Sequence, residues 1–314
     1  MEQKQSKLAR PLIAALLACL CNLLWGSAIP FINLGYRLFD IQSGQTATQI
    51  LFAGCRFFLA GALTILLASI PQKRLVRPAK ANWPNVVKLG LVQTVAQYVF
   101  FYIGVANTAS VKASLIQGLG AFVSILIASY IFRSERMNKL KWLGGVVGFI
   151  GVAIVNLDGS GIDASMSLTG EGALILSMCA SACSAGLIKR YGQKEDPVAM
   201  SGWQFMFGGL VMILGGLAAG GRFHTVSLGA VGVLLYLAML SAVAYTIWAL
   251  LLRVNPVSRV AVYMFLQPIF GVLLGIIMLG SAADAPLVRY GIALVLVCLS
   301  IYVVGKGQQA DGQK

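Results

Sequence analysis

The sequence predicts an all-α integral membrane protein of ten transmembrane helices, arranged as two inverted five-helix repeats. Three observations lead to this prediction. The 314 residues are 58% hydrophobic and only 11% charged, with a mean hydropathy of +0.83, which is too few charges for the surface of a soluble protein. Apolar runs long enough to cross a bilayer recur along the chain. Residues 107–156 also share their order of features with the stretch that begins at Asn255.

Ten apolar segments account for most of the chain. Each is expected to be a helix, because a segment in lipid must satisfy its own backbone hydrogen bonds and the sequence lacks the short alternating strands of a membrane barrel. The run that starts at Pro11 is too long for a signal peptide, so we interpret it as an uncleaved first helix. The predicted spans are 11–36, 46–70, 85–106, 109–132, 140–157, 170–189, 198–219, 228–251, 257–280 and 287–305.

The basic residues indicate the orientation. Eighteen Lys and Arg residues fall in one set of alternate loops, whereas the other set holds only Arg37, Lys112, Arg222 and Arg289. Cytoplasmic loops carry the excess of Lys and Arg, so both termini are expected in the cytoplasm and the protein in the plasma or inner membrane. The same loops account for the net charge of +14, and we therefore expect a lipid bilayer and no nucleic acid as partner.

Five spans precede the loop at 157–169 and five follow it, which predicts repeats at 11–157 and 170–305 in opposite orientations. The charges agree with an inversion, because the turn at 133–141 is basic whereas its counterpart at 280–286 has no Lys or Arg.

Both halves contain an interrupted helix at corresponding places. One interruption is Gly118-Leu-Gly120 and the other is Gln267-Pro268. Paired interruptions of this kind indicate a binding site at the bilayer centre and hinges for alternating access. The alternative is a kink that neighbouring helices tolerate.

Three local motifs resemble one family. Leu24-Trp25-Gly26-Ser27, Arg56-Phe57-Phe58-Leu59-Ala60 and Ser134-Glu135-Arg136 are similar to signatures of EamA-type ten-helix members of the drug/metabolite transporter superfamily. The chain departs from that family at Gly280-Ser281, where Gly-Glu is common, and at Gly120-Ala121, near a common proline. The resemblance implies a cavity between the halves, surrounded by helices 1, 3, 4, 6, 8 and 9. It also implies small metabolites such as amino acids, usually exported.

Polar and aromatic side chains inside the spans are candidates for solute binding, because exposing them to lipid is costly. A wall of amides and rings suits a neutral or zwitterionic solute with an apolar part. For each residue the alternative is an interhelical hydrogen bond, packing or an interface anchor. The predicted substrate-binding residues are Trp25, Gln97, Tyr102, Gln117, Tyr245, Trp248, Tyr263 and Gln267, and the predicted hinges are Gly118, Gly120 and Pro268.

Arg56 is the one charge deep within a predicted span, and no acid within a span is available to pair with it. We expect it to snorkel outward; binding to backbone carbonyls or to a substrate carboxylate are the alternatives. Ser177, Ser181 and Ser184 form a small polar stripe, for which we expect interhelical hydrogen bonds.

Catalytic and metal motifs are missing from the sequence. The single histidine, His224, lies in a loop, and the six cysteines show no metal-ligand spacing, so we expect neither a cofactor nor an enzyme. The span cores carry no carboxylate, which argues against exchange of cations for protons. The sequence thus favours a transporter or facilitator of a small organic solute, with a scaffold or receptor as the alternative. A monomer is expected, and a dimer through the glycine-rich faces stays open.

Overall fold

The computed structural model describes residues 7–42, 44–108, 113, 116–156, 167–279 and 287–312, and within these ranges the chain is helical without a strand. The predicted all-α fold is confirmed. The described helices are α1 (Pro11–Leu38), α2 (Thr46–Gln72), α3 (Lys80–Ala106), α4 (Ile116–Ile131), α5 (Lys139–Asn156), α6 (Leu168–Tyr191), α7 (Pro197–Ala218), α8 (Leu228–Val254), α9 (257–279) and α10 (Leu287–Gly312).

Seven described helices are long and apolar enough to cross a membrane, as judged by length and composition. They are α1, α2, α3, α6, α7, α8 and the Gly291–Ala310 part of α10. Two shorter apolar helices, Ile116–Ile131 and Val257–Gly271, belong to α4 and α9. The sequence therefore builds a multi-pass bundle, in which apolar side chains cover the outside as well as the core.

The helix contacts reflect the two repeats. If each helix is replaced by the one five places along the chain, the main contacts stay the same. The two largest contacts are α2 with α7 and α5 with α10, and each of these pairs maps onto itself. Helix α1 packs on α8 and α9, while α6 packs on α3 and α4. Likewise α2 contacts α8 and α7 contacts α3.

Glycines allow the two self-paired contacts to be close. A Cβ atom on Gly61 would lie 2.5 Å from the Gly202 carbonyl oxygen across the α2–α7 contact. A Cβ on Gly144 would lie 2.5 Å from Val304 across the α5–α10 contact, where the Ser300 hydroxyl donates to the Gly144 carbonyl at 2.6 Å. At both contacts the absence of a side chain on glycine lets the helix backbones approach closely.

Both predicted interruptions coincide with local departures from α-helix. In α4 a turn at Leu119 separates Gly118 from Gly120, and the Leu119 amide donates to the Ile116 carbonyl at 3.1 Å. In α9 the departure is a 3-10 turn at Val262–Phe265, just before Pro268. Proline lacks an amide proton and its ring displaces the carbonyl four residues earlier, so the distortion lies in the preceding turn rather than at the proline.

The two chain ends lie at the same end of the bundle. Asn255 Nδ2 donates to the Leu8 carbonyl at 3.0 Å, and Asn138 Nδ2 donates to the Gly307 carbonyl at 2.8 Å. We call this region, formed by residues 7–10, 132–141, 253–259 and 305–310, the basic end. The predicted orientation also depends on the turn at 280–286 and on Lys112, and these residues lie outside the described ranges.

Candidate functional site

An aromatic cluster fills the contact between α1 and α8. The ring of Trp25 lies 5.0 Å from that of Tyr245 and 4.9 Å from that of Trp248, measured between centroids. Tyr245 in turn lies 4.9 Å from Phe205 of α7 and 6.5 Å from Phe57 of α2. Such edge and tilted contacts are favourable between aromatic rings, so four helices meet at one apolar wall.

Helix α3 adds the polar part of this wall. The hydroxyl groups of Tyr98 and Tyr245 share a hydrogen bond, and the Gln97 side chain also interacts with Tyr245. Tyr102 is buried and its ring lies 6.4 Å from that of Tyr98. Just before these residues, α3 widens into a π-helical stretch at Gly90–Ala96. Such stretches are frequent at functional sites. The central cluster is Trp25, Arg56, Phe57, Gln97, Tyr98, Tyr102, Phe205, Tyr245 and Trp248.

Two buried polar atoms of the central cluster have no hydrogen-bond partner within the described residues. They are Trp25 Nε1 and Gln97 Oε1. Almost all buried polar atoms in proteins are hydrogen-bonded, and leaving one unpaired costs about 1–3 kcal/mol. Trp25 supplies a donor and Gln97 an acceptor, and both lie against Tyr245. The described residues thus leave one donor and one acceptor of this cluster without a partner.

Arg56 points into the bundle, so the expectation that it snorkels is wrong. Its side chain is 2% exposed, and Nε donates to the Ser241 hydroxyl at 2.9 Å. The guanidinium carbon lies 5.2 Å from the centre of the Phe57 ring. Position 56 falls on the face of α2 that contacts α8, and hydropathy along one helix does not reveal which face meets a neighbour.

The structure brings five of the eight predicted substrate-binding residues into the central cluster, namely Trp25, Gln97, Tyr102, Tyr245 and Trp248. The other three, Gln117, Tyr263 and Gln267, are half-buried at the interruptions of α4 and α9. Tyr263 packs on the apolar cluster that contains Trp248. Gln117 and Gln267 have no side-chain hydrogen bond to the described part of the chain.

The predicted hinges differ in their surroundings. A Cβ on Gly118 would lie 2.4 Å from Val152 Cγ1 of α5, whereas a Cβ on Gly120 would meet nothing closer than 3.7 Å. Gly118 is therefore required for close packing in this conformation, and Gly120 is not. Their role as hinges stays a prediction.

Several polar residues hold helices together instead of facing the cluster. Gln204 Nε2 of α7 donates to Gln93 Oε1 of α3 at 3.0 Å, and Thr94 donates to Gln204 Oε1 at 2.8 Å. The Ser177 hydroxyl donates to the Gln97 carbonyl at 2.7 Å, which confirms the expected interhelical bond for this serine.

Sequence reasoning did not include Phe57, Tyr98 and Phe205 in the site. Tyr98 and Tyr102 are one helical turn apart in the sequence, and this spacing is the signal that could have placed Tyr98 beside Tyr102. Phe57 follows Arg56 in the motif that carried the family resemblance. Phe205 has no comparable signal, because its position depends on α7 packing against α2.

A second polar network lies at the basic end. Glu135, in the turn between α4 and α5, forms an ion pair with Lys141 at 2.9 Å, and the two side chains are 4% and 0% exposed. Glu135 also accepts hydrogen bonds from the backbone amide of Ser258, at 2.9 Å, and from its hydroxyl. Lys141 donates further to the Arg136 carbonyl at 2.6 Å. A carboxylate from the first half thus binds the first turn of α9 in the second half.

A cavity of about 430 Å³ adjoins this network. It is lined by residues from both halves, including Glu135, Arg136, Lys189 and Asn255. Lys189 of α6 donates to the Asn255 carbonyl at 2.6 Å, which ties α6 to the turn between α8 and α9.

The chain is similar to known membrane transporters along its whole length. The model of a family described as the EamA-like transporter family matches residues 12–157 and 168–306. An uncharacterized transporter of Synechocystis sp. is 26% identical over 299 residues, covering 89% of this chain and 88% of that protein. An uncharacterized transporter of Bacillus subtilis is 24% identical over 273 residues, covering 83% and 84%.

Two further similarities extend the picture. A WAT1-related chloroplastic protein of Arabidopsis thaliana is 23% identical over 285 residues, covering 88% of this chain and 67% of that protein. A protein of known crystal structure has the same fold with a TM-score of 0.73 at 16% identity, covering 92% of this chain and 94% of that one.

Proposed function

The chain belongs to the EamA-like transporter family, and from that premise we propose that it exports amino acids or related neutral or zwitterionic solutes. The observation that carries the proposal is the central cluster, where α1, α3, α7 and α8 surround Tyr245 with rings and two unpaired polar atoms. Rings of Trp25, Phe205 and Tyr245 suit the apolar part of a solute, and the Trp25 donor and Gln97 acceptor suit its polar part.

The protein is a multi-pass membrane protein, and we place it in the plasma or inner membrane with both termini in the cytoplasm. The basic residues of one set of loops support this orientation. The repeats at 11–157 and 170–305 are supported by two separate matches to the family model and by the exchange pattern of helix contacts. Lys139→Cys and Ala283→Cys, each in a cysteine-free background, would then react with impermeant thiol reagents from opposite sides. Labelling from one side would contradict the inversion.

Alternating access is the mechanism that fits this arrangement, and no catalytic step is involved. The bonds from Glu135 to Ser258 join the two halves at the basic end. Opening of that end separates the halves and must break these bonds. The interruptions of α4 and α9 are then the places where the helices bend, because the regular hydrogen-bond ladder is already broken there.

The experiment is counterflow in proteoliposomes that contain the purified protein. Vesicles are loaded with one amino acid at high concentration, and entry of the same radiolabelled compound is followed against protein-free vesicles. The proposal predicts entry for at least one member of a panel of neutral amino acids. If no member of the panel moves while the protein is folded and inserted, the proposal fails, and a scaffold or receptor role takes its place.

A further inference from the structure

Arg56 is a buried cation for which the described part of the chain provides no carboxylate within 4 Å. Its guanidinium group has five N–H donors, and the described residues accept one hydrogen bond from it, from Nε to Ser241. The two terminal nitrogens, with four donors, have no acceptor among the described side chains and carbonyls. A buried arginine is normally paired, because an uncompensated charge in a low-dielectric interior is costly.

The guanidinium of Arg56 lies next to the rings of the central cluster. Tyr36, Tyr98, Tyr102 and Tyr245 are all close enough to interact electrostatically with the guanidinium. Phe57 offers the face of its ring on one side. Hydroxyl groups that donate to an anion and a planar guanidinium are together the usual components of a carboxylate site.

Resting on the proposed function, the geometry points to Arg56 as the residue that binds the carboxylate of the transported solute. The terminal nitrogens of the guanidinium would donate to the two carboxylate oxygens, while nearby tyrosine hydroxyls donate to the same carboxylate. The apolar part of the solute would lie on the rings of Trp25, Phe205 and Tyr245. The substrate class is accordingly organic carboxylates with an apolar side chain, such as α-amino acids.

The positive charge on Arg56 also determines which solutes are excluded from the site. An amine without a carboxylate would bring a second positive charge to a buried cation, which is repelled. An amide of the same shape offers one acceptor oxygen and no negative charge, and its NH2 group is a donor that cannot accept from the guanidinium. A carboxylate therefore binds in preference to its own amide, and this preference is specific to the role proposed for Arg56.

A purely structural role for Arg56 makes a different prediction. In that case its purpose would be the bond to Ser241, which joins α2 to α8. Replacement of Arg56 would then lower stability, and the wild-type protein would not distinguish a carboxylate from its amide.

The test compares matched acids and amides on the intact protein. Ligand-induced rises in the Tm of the purified wild-type chain are measured with L-phenylalanine, L-leucine, L-valine and L-methionine, and with the amide of each, because only ligands of the native state raise Tm. We expect at least one acid to raise Tm and its amide to need about tenfold or more higher concentration for the same shift. Equal shifts from acid and amide would overturn the inference and leave the proposed function standing. No shift from any compound contradicts both.

Variants then locate the effect. Arg56→Gln should abolish the preference for acid over amide, and Arg74→Gln, which removes the same charge from an exposed position, should leave it unchanged. If Arg56→Gln does not fold, Ser241→Ala and Arg56→Lys serve in its place. Ser241→Ala keeps the charge and should keep the preference, whereas Arg56→Lys replaces the planar group by a point charge and should reduce it. An unchanged preference in Arg56→Lys and Arg56→Gln would overturn the inference.

Discussion

The two polar regions of this bundle handle buried charge in opposite ways. At the basic end, Glu135 is matched by Lys141 and by both donors of Ser258. In the central cluster, the described residues provide Arg56 with one hydrogen-bond partner, the neutral Ser241, and provide none for Trp25 Nε1 and Gln97 Oε1. A fully matched network stabilises one arrangement of helices, while an unmatched one leaves binding capacity for a solute. This contrast is the reason why we propose a structural and gating role for the basic end and solute recognition for the centre.

The largest effect is expected at the matched network. Glu135→Gln removes the charge that pairs with Lys141 at 2.9 Å, and removing one partner of a buried pair costs about 3–5 kcal/mol. The apparent Tm in detergent should fall markedly, and the bundle should open more readily at the basic end. Glu195→Gln, at a half-buried glutamate that accepts a hydrogen bond from Asn82, is the milder comparison. Equal losses of Tm for the two variants would contradict the stabilising role of the Glu135 network.

The interruption of α4 offers a matched pair of glycines. Gly118→Ala places a methyl group 2.4 Å from Val152 Cγ1, and overpacking of this kind costs about 1–3 kcal/mol. Gly120→Ala meets no atom closer than 3.7 Å and should leave the Tm unchanged or raise it slightly. Thermal unfolding of both variants measures the difference. A lower Tm for Gly120→Ala than for Gly118→Ala would contradict the described packing.

A smaller effect is expected from one hydroxyl in the centre. Tyr245→Phe keeps the ring against Trp25 but removes the hydrogen bond to Tyr98. We place this hydroxyl beside the solute, where a hydrogen bond from it would be worth about 1 kcal/mol, or about fivefold in affinity, so the KM for solute entry should rise about fivefold. The lost bond to Tyr98 should lower the Tm slightly. Tyr130→Phe is the control, because Tyr130 is 60% exposed. An unchanged KM in Tyr245→Phe would place the solute elsewhere.

The smallest effect concerns the interruption of α9. Gln267→Ala should reduce counterflow about two- to threefold while membrane insertion stays normal. The reason is that a half-buried amide beside the distorted turn contributes less free energy than a fully buried hydrogen bond, whether it binds the solute or stabilises the bent helix. Gln72→Ala, at an exposed glutamine that bonds to its own helix, should have no effect. Normal counterflow in both variants would limit Gln267 to a structural role.

The sequence was sufficient for features that depend on one helix at a time. The end of α1, predicted at 36 and found at Leu38, follows from an apolar run. The interruption before Pro268 follows from the missing amide proton. Trp25, Gln97 and Tyr245 could be named as candidates because a polar or aromatic group in a span needs a reason to be there.

Features that depend on contacts between two helices could not be predicted from the sequence. Gln93 and Gln97 look equivalent in α3, but Gln204 of α7 binds the first, whereas Oε1 of the second has no partner in the described part of the chain. The direction of Arg56 depends on Ser241, 185 positions away. Glu135 was noted as part of a motif, yet its bond to Ser258 appears only when α4 and α9 are brought together.

The central claim is that solute binds at the ring cluster around Tyr245, and Trp25 tests it most directly. Counterflow of the amino acid that moves best through the wild-type protein is measured for Trp25→Ala and for Trp142→Ala, whose side chain is 44% exposed at the outer surface of the bundle. The account predicts that Trp25→Ala loses most of its counterflow, with a raised KM, while Trp142→Ala keeps wild-type counterflow at equal insertion. Wild-type counterflow in Trp25→Ala, or equal losses in the two variants, would contradict it.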